Sequence, residues 1–233
     1  MEAKFDLSVD ENVFIVRRNI VDYIWKSSKL DGIDVTFPET EAIYNGISVS
    51  NIKIADIIAV NNLKHAWQFA LDTIDCPTDY FYIRELDRII SGDMIKPDVS
   101  SEIDIKNAFN KFQKIGSPTE RSITMMLYCM RTQINKRTSM LVANHEMIMN
   151  GCGVISVPIE HQPEFIRLSV EFYETGNTET IKQFVYDKCI DGLDMRTQEK
   201  SINEAIAKNP SLLRNRYDIK SITEEYKKNH SIK

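Results

Sequence analysis

The chain has 233 residues, of which 42% are hydrophobic, and its 29 basic and 34 acidic residues give a net charge of −5. This length allows one sizeable hydrophobic core and at most one small additional module. The acidic balance gives no general attraction to nucleic acid or to anionic lipid, and no segment approaches the roughly 18 uninterrupted apolar residues of a membrane-spanning helix. We therefore expect no nucleic-acid partner and no membrane partner.

Cysteine usage and the first residues both indicate a cytoplasmic protein. The four cysteines, Cys76, Cys129, Cys152 and Cys189, are widely scattered, without a CxxC pair or a Cys/His cluster at zinc spacing. The segment "MEAKFDLSVDENVF" has acids where a secretory signal would have bases and a long apolar run. We expect buried free thiols rather than disulfides, no metal site and a reducing compartment.

Helix-forming residues dominate the sequence, which contains only 8 Gly and 7 Pro. Asp10 can cap a first helix that continues to about Lys29, and a capping box with Pro in its first turn, at 36–39, begins a second helix that Gly46 ends. Helical periodicity predicts further helices at about 51–74, 79–91, 103–114, 117–130, 135–151, 162–175 and 178–190. An apolar, β-branched run at 153–159 is the one good strand pattern. The fold class is therefore mostly α, with at most a small β-hairpin or short strand.

A polar turn near the middle of the chain is a candidate anion site. Asn135 follows a break in the helical pattern, and Lys136, Arg137 and Thr138 fall in the first turn of the next helix. First-turn amides have no intrahelical acceptor, and the helix dipole is positive there. Arg137 adds a forked donor that suits phosphate. Alternatively, Asn135 only caps the helix and the two bases are solvated, although bases at a helix N-terminus oppose the dipole.

The segment "CMRTQINKRTSM", residues 129–140, resembles a degenerate form of the Fic (Fido) family signature, H-x-F-x-[DE]-G-N-x-R-x-x-R. The Asn, the Lys that often follows it and the first Arg match as Asn135, Lys136 and Arg137. Residues 140–158 and 164–185 are similar to the helix, short strand and closing helix pair that follow the motif in the family. Residues 42–72 resemble the family's long helix, so the resemblance covers roughly residues 10–190.

A second resemblance lies near the N-terminus. "SSKLDG", residues 27–32, is similar to the [ST]-x-x-x-E-[GN] motif of the family's inhibitory helix. Ser27 and Gly32 fit this motif, and Asp31 stands where Glu is expected. The resemblance implies an N-terminal inhibitory-type helix at 1–34 and a Fic-like helical core at 35–192. The more polar residues 193–233 are predicted to form a C-terminal helical appendage.

Fic proteins transfer AMP from ATP onto a hydroxyl of a target protein, and the chain departs from their signature where the chemistry occurs. Cys129 occupies the place of the His that acts as general base, and a thiol on an apolar helix tends to stay neutral. Gln133 occupies the place of the acid that holds Mg²⁺, and a neutral oxygen is a poor replacement. We expect a degenerate metal position at Gln133 and an inactive Cys129.

Three further positions depart from the signature. Ile134 replaces the Gly of the anion loop, and a β-branched residue adopts positive φ only at a cost. Met140 replaces the last Arg, which clamps phosphate and pairs with the inhibitory Glu in the family. Arg131 stands where the family buries a Phe. In the family, residues such as 93–102 form a flap that docks the target backbone by strand addition, but here this stretch contains Pro97 and little β pattern.

These departures together predict a pseudoenzyme. The resemblance implies ATP with Mg²⁺ as the possible ligand, and a protein target or regulatory partner. Removing base, metal ligand and clamp together costs far more than one loss. We therefore expect a non-catalytic member of the family that binds a nucleotide, a protein or both. The alternative is an active nucleotidyl or phosphoryl transferase that modifies a protein hydroxyl with non-standard residues.

Overall fold

A computed structural model of the chain describes residues 1–92, 102–132 and 134–192. Within these ranges the fold is mostly helical, with one short two-stranded sheet, so the predicted fold class is confirmed. The described residues belong to one compact unit, Met1–Gly192. The flap that the resemblance implies within 93–102, apart from Glu102, lies outside the described residues, as does the helical appendage predicted at 193–233.

The helices follow the sequence prediction closely. In chain order they are α1 (Val9–Leu30), α2 (Phe37–Tyr44), α3 (Ile54–Asp72), α4 (Tyr80–Ser91), α5 (Glu102–Phe112), α6 (Pro118–Arg131), α7 (Lys136–Met149), α8 (Gln162–Thr175) and α9 (Glu179–Lys188), with a 3₁₀ turn at Ile159–His161. Strand β1 (Val154–Ile155) pairs antiparallel with β2 (Ile190–Asp191). Among the described helices, none combines the length and the apolar character that a membrane span requires.

The start of α1 corrects one prediction. Ser8, not Asp10, caps this helix: its Oγ accepts from the Glu11 N–H at 3.2 Å, and the Glu11 carboxylate accepts from the Ser8 N–H at 2.7 Å. Glu three residues after Ser8 completes a capping box, whereas Val13 three residues after Asp10 cannot. The capping box predicted at 36–39 is confirmed, with Thr36 and Glu39 in the same reciprocal arrangement.

Helix α7 lies at the centre of the fold. Every residue from Thr138 to Ile148 is buried, and the helix packs against α1, α3, α4, α6 and β1. A helix buried on all sides needs partners for its polar side chains. Asn144 supplies one example, because its Oδ1 accepts from the Ile155 N–H at 2.6 Å and its Nδ2 donates to the Ile155 carbonyl at 2.9 Å. This pair of bonds fixes β1 to α7.

The two-stranded sheet corrects the predicted end of the last helix. β1 pairs with β2 in the register Val154 with Asp191 and Ile155 with Ile190. The sequence predicts helix as far as residue 190, but α9 ends at Lys188 and the next residues form β2. A strand of two residues has no period to detect. Gly153, at φ +87°, permits this approach, since a Cβ there would lie 2.5 Å from the Asp191 carbonyl oxygen.

His145 attaches the α3–α4 connection to the central helix. Its Nε2 lies 3.1 Å from the Thr73 carbonyl, which can only accept, so Nε2 carries the proton and Nδ1 accepts from the Thr78 hydroxyl at 2.8 Å. The ring also packs on Tyr82, with centroids 4.2 Å apart. Burial lowers the pKa of His145 below its usual value. The imidazole is therefore neutral in the folded protein at pH 7.

The lowered pKa of His145 predicts acid destabilisation. The unfolded chain, with an ordinary His pKa near 6.5, binds a proton before the folded chain does. The free energy of unfolding should therefore fall as pH drops below 6.5, by at most about 1.4 kcal/mol per pH unit for this one proton. Urea denaturation between pH 7.5 and 5.0 measures it. A His145→Gln variant, matched at each pH, should lack this component; an identical pH dependence in the variant would refute the assignment.

Candidate functional site at the start of α7

The candidate site forms where the C-terminus of α1 meets the N-terminus of α7. Asp31 is the C-cap residue of α1, and its N–H donates to the carbonyls of Ser27 and Ser28. Gly32 follows at φ +74°, the left-handed conformation that commonly ends a helix. "SSKLDG" is therefore also a helix-termination signal. In the structure this helix end lies beside the turn at Asn135, where Asp31 contacts Lys136 and Arg137.

Asp31 forms an ion pair with Arg137. The Nε atom of Arg137 lies 2.7 Å from Asp31 Oδ2, and both side chains are only 15% exposed. Lys136 Nζ lies 4.0 Å from the other carboxylate oxygen, Oδ1. One carboxylate thus faces both bases of the candidate anion site. In Fic proteins the inhibitory acid pairs with the last Arg of the signature. Here Met140 stands in that place, and Asp31 pairs with Arg137.

The Arg137 guanidinium keeps unused hydrogen-bonding capacity. Although Nε lies 2.7 Å from Asp31 Oδ2, this contact lacks hydrogen-bond geometry and is an ion pair only. Within the described residues, neither Nε nor Nη1 has a hydrogen-bond acceptor, and both atoms are buried. Buried guanidinium N–H groups without acceptors are unusual, and an anion or a water molecule commonly satisfies them. The arrangement therefore fits an oxyanion, provided that Asp31 moves aside.

Asn135 caps α7, as the simpler interpretation predicts. Its Oδ1 accepts from the Arg137 N–H at 2.9 Å, and its carbonyl accepts from the Ser139 N–H at 2.9 Å. The N–H groups of Lys136 and Thr138 have no acceptor within the described part of the chain. Capping and anion binding are therefore compatible: two first-turn amides, the Lys136 ammonium and the Arg137 guanidinium remain as donors.

Thr138 and Cys129 face inward. The Thr138 hydroxyl donates to Asp87 Oδ1 of α4 at 2.8 Å and is buried, so its side chain does not face the candidate anion site. Cys129 on α6 is fully buried. Burial, reinforced by the negative charge of Asp87, raises the pKa of the Cys129 thiol to about 12. The thiol stays protonated at neutral pH and has no access to solvent.

The remaining departures from the signature are packed into the structure. The Ile134 N–H donates to the Cys129 carbonyl at 3.2 Å, and its side chain packs on the core. Met140 is buried and lines, with Ser27, a small cavity of about 10 Å³ between α1 and α7. The Arg131 guanidinium lies against Gly176 at the end of α8. Gln133, the degenerate metal position, lies outside the described residues and stays a prediction.

Two findings were not predicted from the sequence. Asp87, which holds Thr138 and faces Cys129, carries no local motif; it is one polar residue on an amphipathic helix. Cys76 is exposed, so the expectation of four buried thiols is wrong for this residue, although all four cysteines are free thiols. Cys76 lies in the connection between α3 and α4, where apolar periodicity gives no indication of burial.

In the part of the chain that the structure describes, no three His, Cys, Asp or Glu side chains form a group that could hold a metal ion.

Comparisons with solved structures identify the fold. Two fragments of Fic-1 from C. elegans, one of them an E-to-G variant, superpose with a TM-score of 0.61 at 18% identity. A Fic domain containing signaling protein from Bacteroides thetaiotaomicron superposes with a TM-score of 0.59 at 13% identity. The matches cover 73%, 75% and 72% of this chain, and 60%, 61% and 81% of the other chains.

This chain therefore has the fold of Fic domains, as the resemblance implied. It spans only about 60% of the length of the C. elegans chains. No family model matches the sequence, and no curated protein matches it.

The ion pair at this site should contribute measurably to stability. Because Asp31 and Arg137 are each 15% exposed, we expect a coupling energy of about 1–3 kcal/mol, between the values for exposed and buried pairs. A double-mutant cycle with Asp31→Asn and Arg137→Met, followed by urea denaturation, measures it. The control pair is Lys29 with Asp34, and the Asp34 side chain is 92% exposed. The coupling energy of this exposed pair should be less than about 0.5 kcal/mol. Equal coupling in the two pairs would contradict the arrangement.

Thiol labelling tests the burial of Cys129. A thiol reagent should react rapidly with one cysteine per folded chain, Cys76, and with all four after denaturation, since Cys129, Cys152 and Cys189 are buried. Rapid labelling should disappear in Cys76→Ser. Rapid labelling that persists in Cys76→Ser and is lost in Cys129→Ala would place the Cys129 thiol at the surface instead.

Proposed function

We propose that this Fic-fold chain binds the phosphate groups of a nucleotide at the start of α7 and does not transfer AMP. The observation that carries the proposal is the position of Cys129. The residue in the place of the family's general base is a core thiol, with its pKa raised to about 12 and no exposed surface. A general base must reach the substrate proton and have a pKa near the working pH. Cys129 meets neither requirement.

Neighbouring residues support the loss of transfer chemistry. The Ile134 N–H is engaged with the Cys129 carbonyl, so it is not available to an oxyanion. Met140 is part of the core and supplies no second cation. Two carboxylates at this end of α7, Asp31 and Asp87, face two bases and the Thr138 hydroxyl respectively. They do not form a ligand set of the kind that Mg²⁺ requires.

The donors that remain support anion binding. Arg137 has two buried N–H groups without acceptors within the described residues, and the first-turn amides of Lys136 and Thr138 are directed along the helix axis. Asp31 competes for the same guanidinium. A phosphate group that binds here must displace the Asp31 carboxylate from Arg137. A doubly charged anion displaces the carboxylate more readily than a singly charged anion, because it interacts more strongly with the guanidinium. Asp31 thus takes the role that the resemblance gives to an inhibitory acid.

Calorimetry with pyrophosphate, ADP and ATP tests the binding proposal. Asp31→Asn removes the competing charge and should raise the affinity for pyrophosphate by about tenfold, which corresponds to about 1.4 kcal/mol. Arg137→Met should lower it by at least about tenfold. The matched control is Asp34→Asn, a nearby exposed carboxylate that should leave the affinity unchanged. Equal affinity in wild type and Arg137→Met would show that the anion binds elsewhere.

Incubation with labelled ATP and a cell lysate, with Mg²⁺ or Mn²⁺, tests the absence of transfer. We expect no labelled protein with wild type and none with Cys129→His, because a buried base alone leaves the other losses in place. Combined repair with Cys129→His, Gln133→Glu, Ile134→Gly and Met140→Arg is the variant with the best prospect of activity. Robust transfer by wild type, lost in Arg137→Met, would establish the alternative of an active transferase.

A further inference from the structure

A large cavity lies at the end of α7 opposite the candidate anion site. It has a volume of about 590 Å³, and its walls come from the start of α4, from α5, from α6 and from the end of α7. The 14 residues of α7 separate the two ends of the helix by about 20 Å. The cavity is large enough for a ligand of several residues, and nothing in the Fic-type motif accounts for it.

A largely buried ion pair forms part of the cavity lining. Arg121 Nε lies 2.7 Å from Glu146 Oε1, and the two side chains are 12% and 6% exposed. Arg121 Nη1 donates to the Ile115 carbonyl at 2.7 Å, and Asn150 Nδ2 lies 3.3 Å from the same Glu146 oxygen. These contacts fix the position of both charged groups.

The pair leaves one donor and one acceptor unused. Within the described residues, Arg121 Nη2 donates to no acceptor and Glu146 Oε2 accepts from no donor. Both residues line the cavity. A largely buried ion pair is stabilised when its remaining hydrogen-bonding positions are satisfied. A carboxamide, which has one carbonyl acceptor and N–H donors, complements this combination of donor and acceptor.

The rest of the lining favours an uncharged ligand. The charged residues balance, with Lys106 and Arg121 against Asp79 and Glu146. Exposed amide side chains of Asn110 and Gln113 and the rings of Tyr80 and Phe109 complete the surface that a ligand would meet. Rings and amides together suit a polypeptide, since amides pair with peptide groups and rings pack on side chains.

We propose that this cavity binds an uncharged peptide segment of a partner protein, with an Asn or Gln carboxamide seated on the Arg121–Glu146 pair. The carboxamide oxygen accepts from Arg121 Nη2, and its N–H donates to Glu146 Oε2. Amides of Asn110 and Gln113 hydrogen-bond the peptide on either side. The site is distinct from the nucleotide site proposed above and does not depend on it.

Peptide titration of the ¹⁵N-labelled full chain tests this proposal. The probes are the blocked peptide acetyl-Ala-Gln-Ala-amide and its matched Glu and Lys analogues, monitored by backbone amide chemical shifts. We expect saturable shifts at Tyr80, Gln113 and Asn150 with the Gln peptide, and affinities lower by about tenfold for the two charged peptides. Absence of shifts around the cavity, or equal affinity for the three peptides, would overturn the proposal.

Variants separate the roles of the lining residues. Asn110→Ala, on an exposed position of α5, and Gln113→Ala, in the exposed turn directly after α5, should each weaken binding of the Gln peptide by about two- to tenfold. The control is Gln68→Ala, an exposed amide on α3, which should not change it. Arg121→Lys keeps the charge but removes the forked donor and should weaken binding at least as much, with its fold checked by thermal denaturation. Unchanged affinity in both Asn110→Ala and Gln113→Ala would refute the site, whether or not Arg121→Lys folds.

Discussion

The fold depends on one constraint: α7 is buried on every side from Thr138 to Ile148. A helix in this position must satisfy each polar side chain with a partner from another element. Asn144 bonds β1, His145 bonds the α3–α4 connection, and Glu146 bonds Arg121 of α6. These bonds determine which elements surround α7 and in what register. The buried polar residues of one helix thereby specify the arrangement of the domain.

The same constraint places both sites proposed above at the two ends of α7. At its start, the helix carries first-turn amides and Arg137, and the end of α1 supplies Asp31 as the countercharge. At its end, the Arg121–Glu146 pair lines a large cavity. Between these ends, the side chains are committed to packing. This separation allows the proposed anion site to keep its donors while Cys129, on the neighbouring helix α6, is part of the core.

Helix spans and caps were predictable because they depend on local sequence. Thr36 with Glu39 is a capping box that can be read directly, and Gly32 marks a helix end. Asp10 and Ser8 are both suitable residue types for the cap of α1, and only the reciprocal Glu11 contact distinguishes them. Strand β2 was missed because two residues have no periodicity.

The candidate site was predictable only in part. Similarity to the Fic motifs identified both Asp31 and Arg137 as candidate site residues. Periodicity and propensity could not relate these residues, because they are more than a hundred positions apart. Asp87 and the ion pair between Arg121 and Glu146 were not predicted, because long-range contacts between single polar residues leave no local pattern. The sequence favoured a neutral thiol at Cys129, and the structure adds the reason, since the thiol is sealed in the core beside the Asp87 carboxylate.

The central claim is that the Arg137 guanidinium exchanges Asp31 for an anion. The most direct measurement is the ¹H–¹⁵N resonance of Arg137 Nε, assigned by its loss in Arg137→Lys and followed during addition of pyrophosphate. The account predicts a saturable shift of this resonance, together with a shift of the Asp31 side-chain carboxyl ¹³C signal as the ion pair opens. Pyrophosphate that shifts other resonances while Arg137 Nε and the Asp31 carboxyl remain unchanged would contradict it.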